Sequence, residues 1–134
     1  MQKYLDIVNK IHASPYKLTI VSSGGGTNAI SALLEVAGAS NTILESHIPY
    51  SKESMDTFLN KKPDHYCSLD TCLNMAANAY KKSKEVDSES KTKHLLGIAI
   101  TANLATTYEK KGDHKFFIVI PVSYTHLRAH ETPR

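Results

Sequence analysis

At 134 residues and 41% hydrophobic, the chain suffices for one domain with one apolar core and is too short for two. Its formal charge of +3 comes from 16 basic and 13 acidic residues spread along the sequence, so no basic stripe with interleaved aromatics marks a nucleic-acid surface. No stretch approaches the roughly 20 apolar residues of a membrane span, and Asp6, Asn9 and Lys10 interrupt the N-terminus before a signal-peptide core forms; the expected location is the cytoplasm.

Tyr4, Leu5, Val8 and Ile11 recur at helical spacing, and Ser14 with Pro15 stops the helix. We expect an amphipathic helix packed on a sheet. Lys17 to Thr27 (KLTIVSSGGGT) then runs from a short apolar stretch through two serines into three glycines, and Ala29, Ile30, Leu33, Leu34 and Val36 follow at helical spacing. This pattern predicts strand, tight turn and helix. Glycines at such a junction let the backbone approach a ligand, and the helix start offers N–H groups to an anion or oxyanion. Ser22 and Ser23 stand where a nucleophile or a phosphate-binding hydroxyl stands. The alternative is a tight turn with a serine N-cap. The glycines match neither the P-loop nor the dinucleotide fingerprint.

Ala37 to Ser40 reads as a turn, with Gly38 placed as a helix C-cap. A strand is expected over Thr42 to Ile48, closed by Pro49, and Ser51 caps a short helix through Met55, Phe58 and Leu59. Lys61 to His65 is a polar loop. Ser68 starts a longer helix whose buried stripe is expected at Leu73, Ala76, Ala77 and Tyr80. Lys81 to Lys93, charged and serine-rich, reads as a solvated helix end and loop. His94 to Ala102 is nearly continuously apolar, as in a strand covered on both faces. Tyr108 to His114 forms a turn and Phe116 to Val122 a last strand.

Strands alternating with helices predict an α/β fold, a three-layer α/β/α arrangement with a mostly parallel or mixed sheet. Ligands on such sheets sit at the carboxyl ends of the strands. Two segments meet that condition, Ser22 to Thr27 and Thr101 to Thr107; the second either lines a polar pocket or is a capped loop satisfying its own backbone. Cys67 and Cys72 fit neither a disulfide framework nor a zinc pattern and read as reduced thiols. Pro121 to Arg134 breaks with the preceding composition and reads as a non-native tail, which takes His126 and His130 out of any metal role. The expected domain is 1–120, truncated at its C-terminus.

Three blocks in order carry a family resemblance: Ser22-Ser23-Gly24-Gly25-Gly26-Thr27, then Ala37-Gly38-Ala39-Ser40, then Tyr50 to Met55. Cys67 to Ala76 and Lys110 to Asp113 echo two later blocks. The chain resembles the C-terminal domain of CinA, the nicotinamide-nucleotide amidase family, over roughly Leu18 to Ile120. Its glycine triplet and Ala-x-Leu-Ala-Thr loop resemble a divergent branch of that family. The resemblance implies that Ser23 occupies the place of the serine that opens the nicotinamide amide, with release of ammonia. The family's base, a lysine, falls on Met55, which cannot take a proton; Lys52, one helical turn earlier, is either a substitute base or a solvated first-turn lysine.

The expected site therefore comprises Ser23, Tyr50 and Lys52 as catalytic residues, with Ser22, Gly24, Gly25, Gly26, Thr27, Thr101, Asn103 and Thr106 around the ligand. The expected ligand is a small nucleotide, with no cofactor and no metal; a homo-oligomer is left open. The rival expectation is a non-catalytic nucleotide-binding or interaction module of the same fold. His47 and His114 are the other groups weighed as a base for Ser23.

Overall fold

The computed structural model describes residues 2–103, 115–121 and 127–133. The chain forms α1 (Gln2–Ala13), β1 (Lys17–Ser23), α2 (Thr27–Glu35), a 3₁₀ turn (Ala39–Asn41), β2 (Ile43–His47), α3 (Lys52–Leu59) and α4 (Leu69–Val86). A second 3₁₀ turn (Thr92–His94) leads into β3 (Leu95–Asn103), followed by β4 (Lys115–Pro121) and β5 (Leu127–Pro133). The sheet order is β2-β1-β3-β4-β5. β1 pairs in parallel with both β2 and β3, and β4 and β5 are added antiparallel. The fold is thus three-layer α/β with a mixed sheet.

The alternation of β1 assigns its residues to two cores. Leu18 and Ile20 join Ile30 and Ile100 under α2, with Leu33, Ile43, Leu96 and Ile98 around them. Val21 faces the other side, with Met55 and Leu59 of α3, Cys72, Met75, Ala76 and Ala79 of α4, Ala99 and Phe117. α4 therefore covers one face of the sheet and α2 the other. The buried stripe of α4 is rotated from the expected one: Cys72, Met75, Ala76, Ala79 and Ser83 are buried, while Ala77 is exposed. Small residues face the sheet because the backbones approach closely. A Cβ at Gly97 would run into the Tyr80 amide nitrogen and lie 2.7 Å from the Ala76 carbonyl oxygen.

Three further expectations change. α1 packs chiefly on α2 and the Ala39–Asn41 turn rather than on the sheet, and buried His12 pins it there. Its Nε2 donates to the Leu33 carbonyl at 3.0 Å and its Nδ1 pairs with the Thr42 hydroxyl at 2.8 Å. The helix end within Lys81 to Lys93, read as solvated, is buried in part: α4 runs through Val86, and the buried Ser83 hydroxyl donates to the Leu96 carbonyl at 2.7 Å and lies 2.9 Å from Thr19 Oγ1. α2 ends at Glu35, and Gly38, with φ of 100°, opens the following 3₁₀ turn rather than capping the helix directly. The serine caps form as expected: Ser51 accepts from the Ser54 amide and Ser68 from the Thr71 amide, each at 3.1 Å.

Residues 127–133, in which the sequence shows no pattern, pair along β4 as an edge strand. Tyr124, the Lys110 to Asp113 turn and His114 lie outside the described residues, as does the side chain of Leu127. No helix among the described residues is long and apolar enough to cross a membrane.

Replacing Gly97 by alanine forces a methyl group against the α4 backbone, a clash no rotamer relieves. We expect Gly97→Ala to destabilise the fold by about 1–3 kcal/mol, as overpacking does. An unchanged urea midpoint would contradict the contact between α4 and β3.

Candidate functional site

β1 leads through α2 to β2 on one side of it, and β2 leads through α3 and α4 to β3 on the other. The strand order reverses between β1 and β3, the place at which open α/β sheets form a ligand crevice. A cleft of about 480 Å³ lies there, lined by Ser23, Gly24, Lys52, Asp64, His65, Tyr66, Cys67, Thr101 and Ala102. Ser23 is the last residue of β1 and pairs with Thr101 of β3, which puts both at the floor of the crevice.

The two serines have separate duties set by strand alternation. Ser22 is fully buried, and its hydroxyl donates to the Gly25 carbonyl at 2.9 Å, closing the turn. Ser23, half-buried, points to the α3 and α4 side and into the cleft. The glycines follow the exit of the chain from the sheet. Gly24 has φ of 85° and Gly26 of 102°, the left-handed region that glycine adopts without penalty. Gly26 stands at the N-cap of α2, and Thr27, exposed, opens the helix. Thr101 is 2% exposed, and its hydroxyl donates to the Tyr66 carbonyl at 3.3 Å. Its part in the cleft is to hold the facing loop.

Lys52 is the first residue of α3, behind the Ser51 cap, and it reaches the cleft from the outer side. Tyr50 is 79% exposed and is not among the lining residues. Met55 is 1% exposed in the core beneath. Asn103 ends β3, its side chain is not described, and Thr106 lies outside the described residues. His47 lines a different and larger depression, of about 600 Å³, beside Pro49, Ser51 and Phe58. That depression adjoins the end of the edge strand β2 and includes neither Ser23 nor Thr101, so the crevice between the inner strands at Ser23 is the candidate site. Among the described residues no group of His, Cys, Asp and Glu is arranged to hold a metal ion.

None of Asp64, His65, Tyr66 and Cys67 is expected at the site from the sequence: Asp64 and His65 fall in the expected polar loop, and Cys67 is read as a reduced thiol. The loop is tied down on two sides. The Thr71 hydroxyl donates to the His65 carbonyl at 2.5 Å, and the Tyr66 hydroxyl donates to Asp56 Oδ1 at 2.7 Å. An aromatic, an imidazole and a thiol in succession just before a capped helix are the signal that was available. The hydrogen bond to the Asp56 carboxylate holds the Tyr66 phenol above its ordinary pKa, with desolvation and the charge of Asp56 adding to the effect.

No family model matches the chain, and no curated protein matches it. Solved structures do. A competence-damaged protein (CinA) superfamily protein from Klebsiella pneumoniae superposes with a TM-score of 0.73 at 15% identity, covering 99% of this chain and 81% of that one. One of the same superfamily from Enterobacter cloacae gives 0.71 at 14% identity, over 94% and 73%. The competence/damage inducible protein CihA from Agrobacterium tumefaciens gives 0.67 at 17% identity, over 94% and 75%. The fold of this chain is therefore CinA-like.

The Tyr66–Asp56 bond predicts a titration. A phenol whose folded pKa is raised contributes stability that is present below about pH 10, the ordinary tyrosine value, and is lost as pH rises through the folded value. In a phenolate absorbance titration we expect one tyrosine to ionise above the exposed ones, and this late component to vanish in Tyr66→Phe.

Proposed function

We propose that the CinA-like fold of this chain binds a nicotinamide nucleotide in the Ser23 cleft and hydrolyses its amide, with Ser23 as nucleophile and Lys52 as base. The observation that carries this reading is the convergence of Ser23 and Lys52 on one cleft outside the carboxyl ends of β1 and β3. In this mechanism the Ser23 hydroxyl attacks the amide carbonyl and passes its proton to the Lys52 amine. The Gly24 and Gly25 amides serve the developing oxyanion. Lys52 returns the proton to the departing ammonia, and water then hydrolyses the acyl ester and restores the serine. Lys61 and Lys62, in a neighbouring depression that shares Asp64 and His65, offer positive charge to the phosphate.

A second reading, a nucleotide-binding module without turnover, draws on a specific observation. The Lys52 ammonium stands over the Tyr66 ring, and among the described residues no hydrogen bond joins it to the Ser23 hydroxyl. Met55, at the family's lysine position, supplies no replacement. Turnover is accordingly expected to be slow, since general-base help is worth about 10² to 10⁴ in rate.

Ammonia release from nicotinamide mononucleotide separates the readings. We expect slow release that is abolished by Ser23→Ala, reduced about 10² or more by Lys52→Ala, and unaffected by Met55→Leu, with nucleotide-induced thermal stabilisation retained in Ser23→Ala. Stabilisation without any release selects the binding module. Release that survives Ser23→Ala refutes the assignment of the nucleophile.

A further inference from the structure

The contact between Lys52 and Tyr66 contains more than the reaction requires. The ammonium lies 5.9 Å from the ring centroid, and both residues line the Ser23 cleft. The ring is held in place from several directions. Its hydroxyl is bonded to Asp56 of α3, its own carbonyl accepts from Thr101 of β3, and the preceding carbonyl accepts from Thr71 of α4. The ring also packs on the core cluster that includes Met55 and Leu59. Three elements thus fix one aromatic face at the edge of the candidate site. Such a face attracts positive charge through its quadrupole, most strongly where water is partly excluded. Lys52 itself is exposed, and its ammonium marks where on this wall a cation is drawn.

We propose that Tyr66 is the ring-recognition residue of the cleft, a cation–π platform that selects a planar ligand whose ring is positively charged, an N-alkylated pyridinium, over the neutral form of the same ring. The inference rests on the nucleotide reading above and adds to it a preference for ring charge. A cationic ring seated on Tyr66 takes the place of the ammonium and repels it. Lys52 is then released towards the anionic part of the ligand and the Ser23 hydroxyl. A neutral ring makes no such exchange.

The test compares oxidised nicotinamide mononucleotide, whose ring is cationic, with its reduced, neutral-ring form, by calorimetric titration of the full chain. The two share ribose and phosphate, so the ratio of their dissociation constants isolates the ring. We expect the cationic form to bind about three- to tenfold more tightly. That ratio should fall to near one in Tyr66→Leu, persist in Tyr66→Phe and rise in Lys52→Met, where the competing ammonium is gone. A ratio near one in the unmodified protein, or an unchanged ratio in folded Tyr66→Leu, overturns the proposal. If Tyr66→Leu does not fold, the other two variants decide, and loss of the ratio in Tyr66→Phe or its fall in Lys52→Met overturns it. If neither mononucleotide binds, the nucleotide reading fails on its own account. The ring site is then read by saturation-transfer NMR with the 1-methylnicotinamide cation against neutral nicotinamide. Cation preference that depends on Tyr66 sustains the proposal, and equal or absent signals overturn it.

Discussion

Between β1 and β3 the chain must turn out of the sheet while the neighbouring strand continues beside it. Ser23 pairs with Thr101, and β3 runs on through Ala102 and Asn103. The residues after Ser23 therefore pass against a backbone that is still extending. A Cβ at Gly24 would collide with the Ala102 carbonyl oxygen, and one at Gly26 would lie 2.7 Å from Ile100 Cγ2. With both glycines in the left-handed region, the turn tolerates no side chain at either position. This crowding holds the turn against β3 and directs Ser23 into the crevice, while the hydrogen bond from Ser22 to Gly25 fixes its shape. One serine is structural so that the other can be presented.

The other wall depends on how closely α4 lies on the sheet. Gly97 opposite Ala76 and Tyr80, and Ser83 between Thr19 and the Leu96 carbonyl, allow helix and strand to meet with little side-chain volume between them. The Ser68 cap then sets where α4 begins, and Thr71 in its first turn holds the His65 carbonyl. Tyr66 is placed by these contacts and by Asp56, so the wall facing Ser23 is an outcome of helix packing rather than of loop sequence.

This division explains what the sequence disclosed. The strand–glycine–helix junction and the caps at Ser51 and Ser68 are local features, and local chemistry revealed them. The rotation of the α4 stripe was hidden because hydrophobicity favours Leu73 and Tyr80, whereas the close approach at Gly97 selects Ala76 and Ala79; the size of a glycine in a distant strand decides the face. α1 shows an apolar stripe that says nothing of whether a sheet or α2 lies opposite. The KKPDHY loop looked merely polar because its three anchors, Asp56, Thr71 and Thr101, are brought to it only by the fold. The pairing of residues 127–133 is backbone pairing along an edge, which requires no hydrophobic pattern.

The burial of Met55 follows from the phase of α3. The Ser51 cap sets the phase of this helix, so positions 52, 55 and 59 share a face one turn apart. That face runs from the open cleft at Lys52 down to Met55 and Leu59, which pack with Val21, the residue two before Ser23 on the same side of β1. A lysine at 55 would approach the serine from beneath, its stem among Val21, Cys72 and Met75 and its amine rising towards the cleft. Burial there disfavours the charged form, which is the condition a lysine base requires. Position 52 offers reach from the solvent side and a cation-attracting ring beside it.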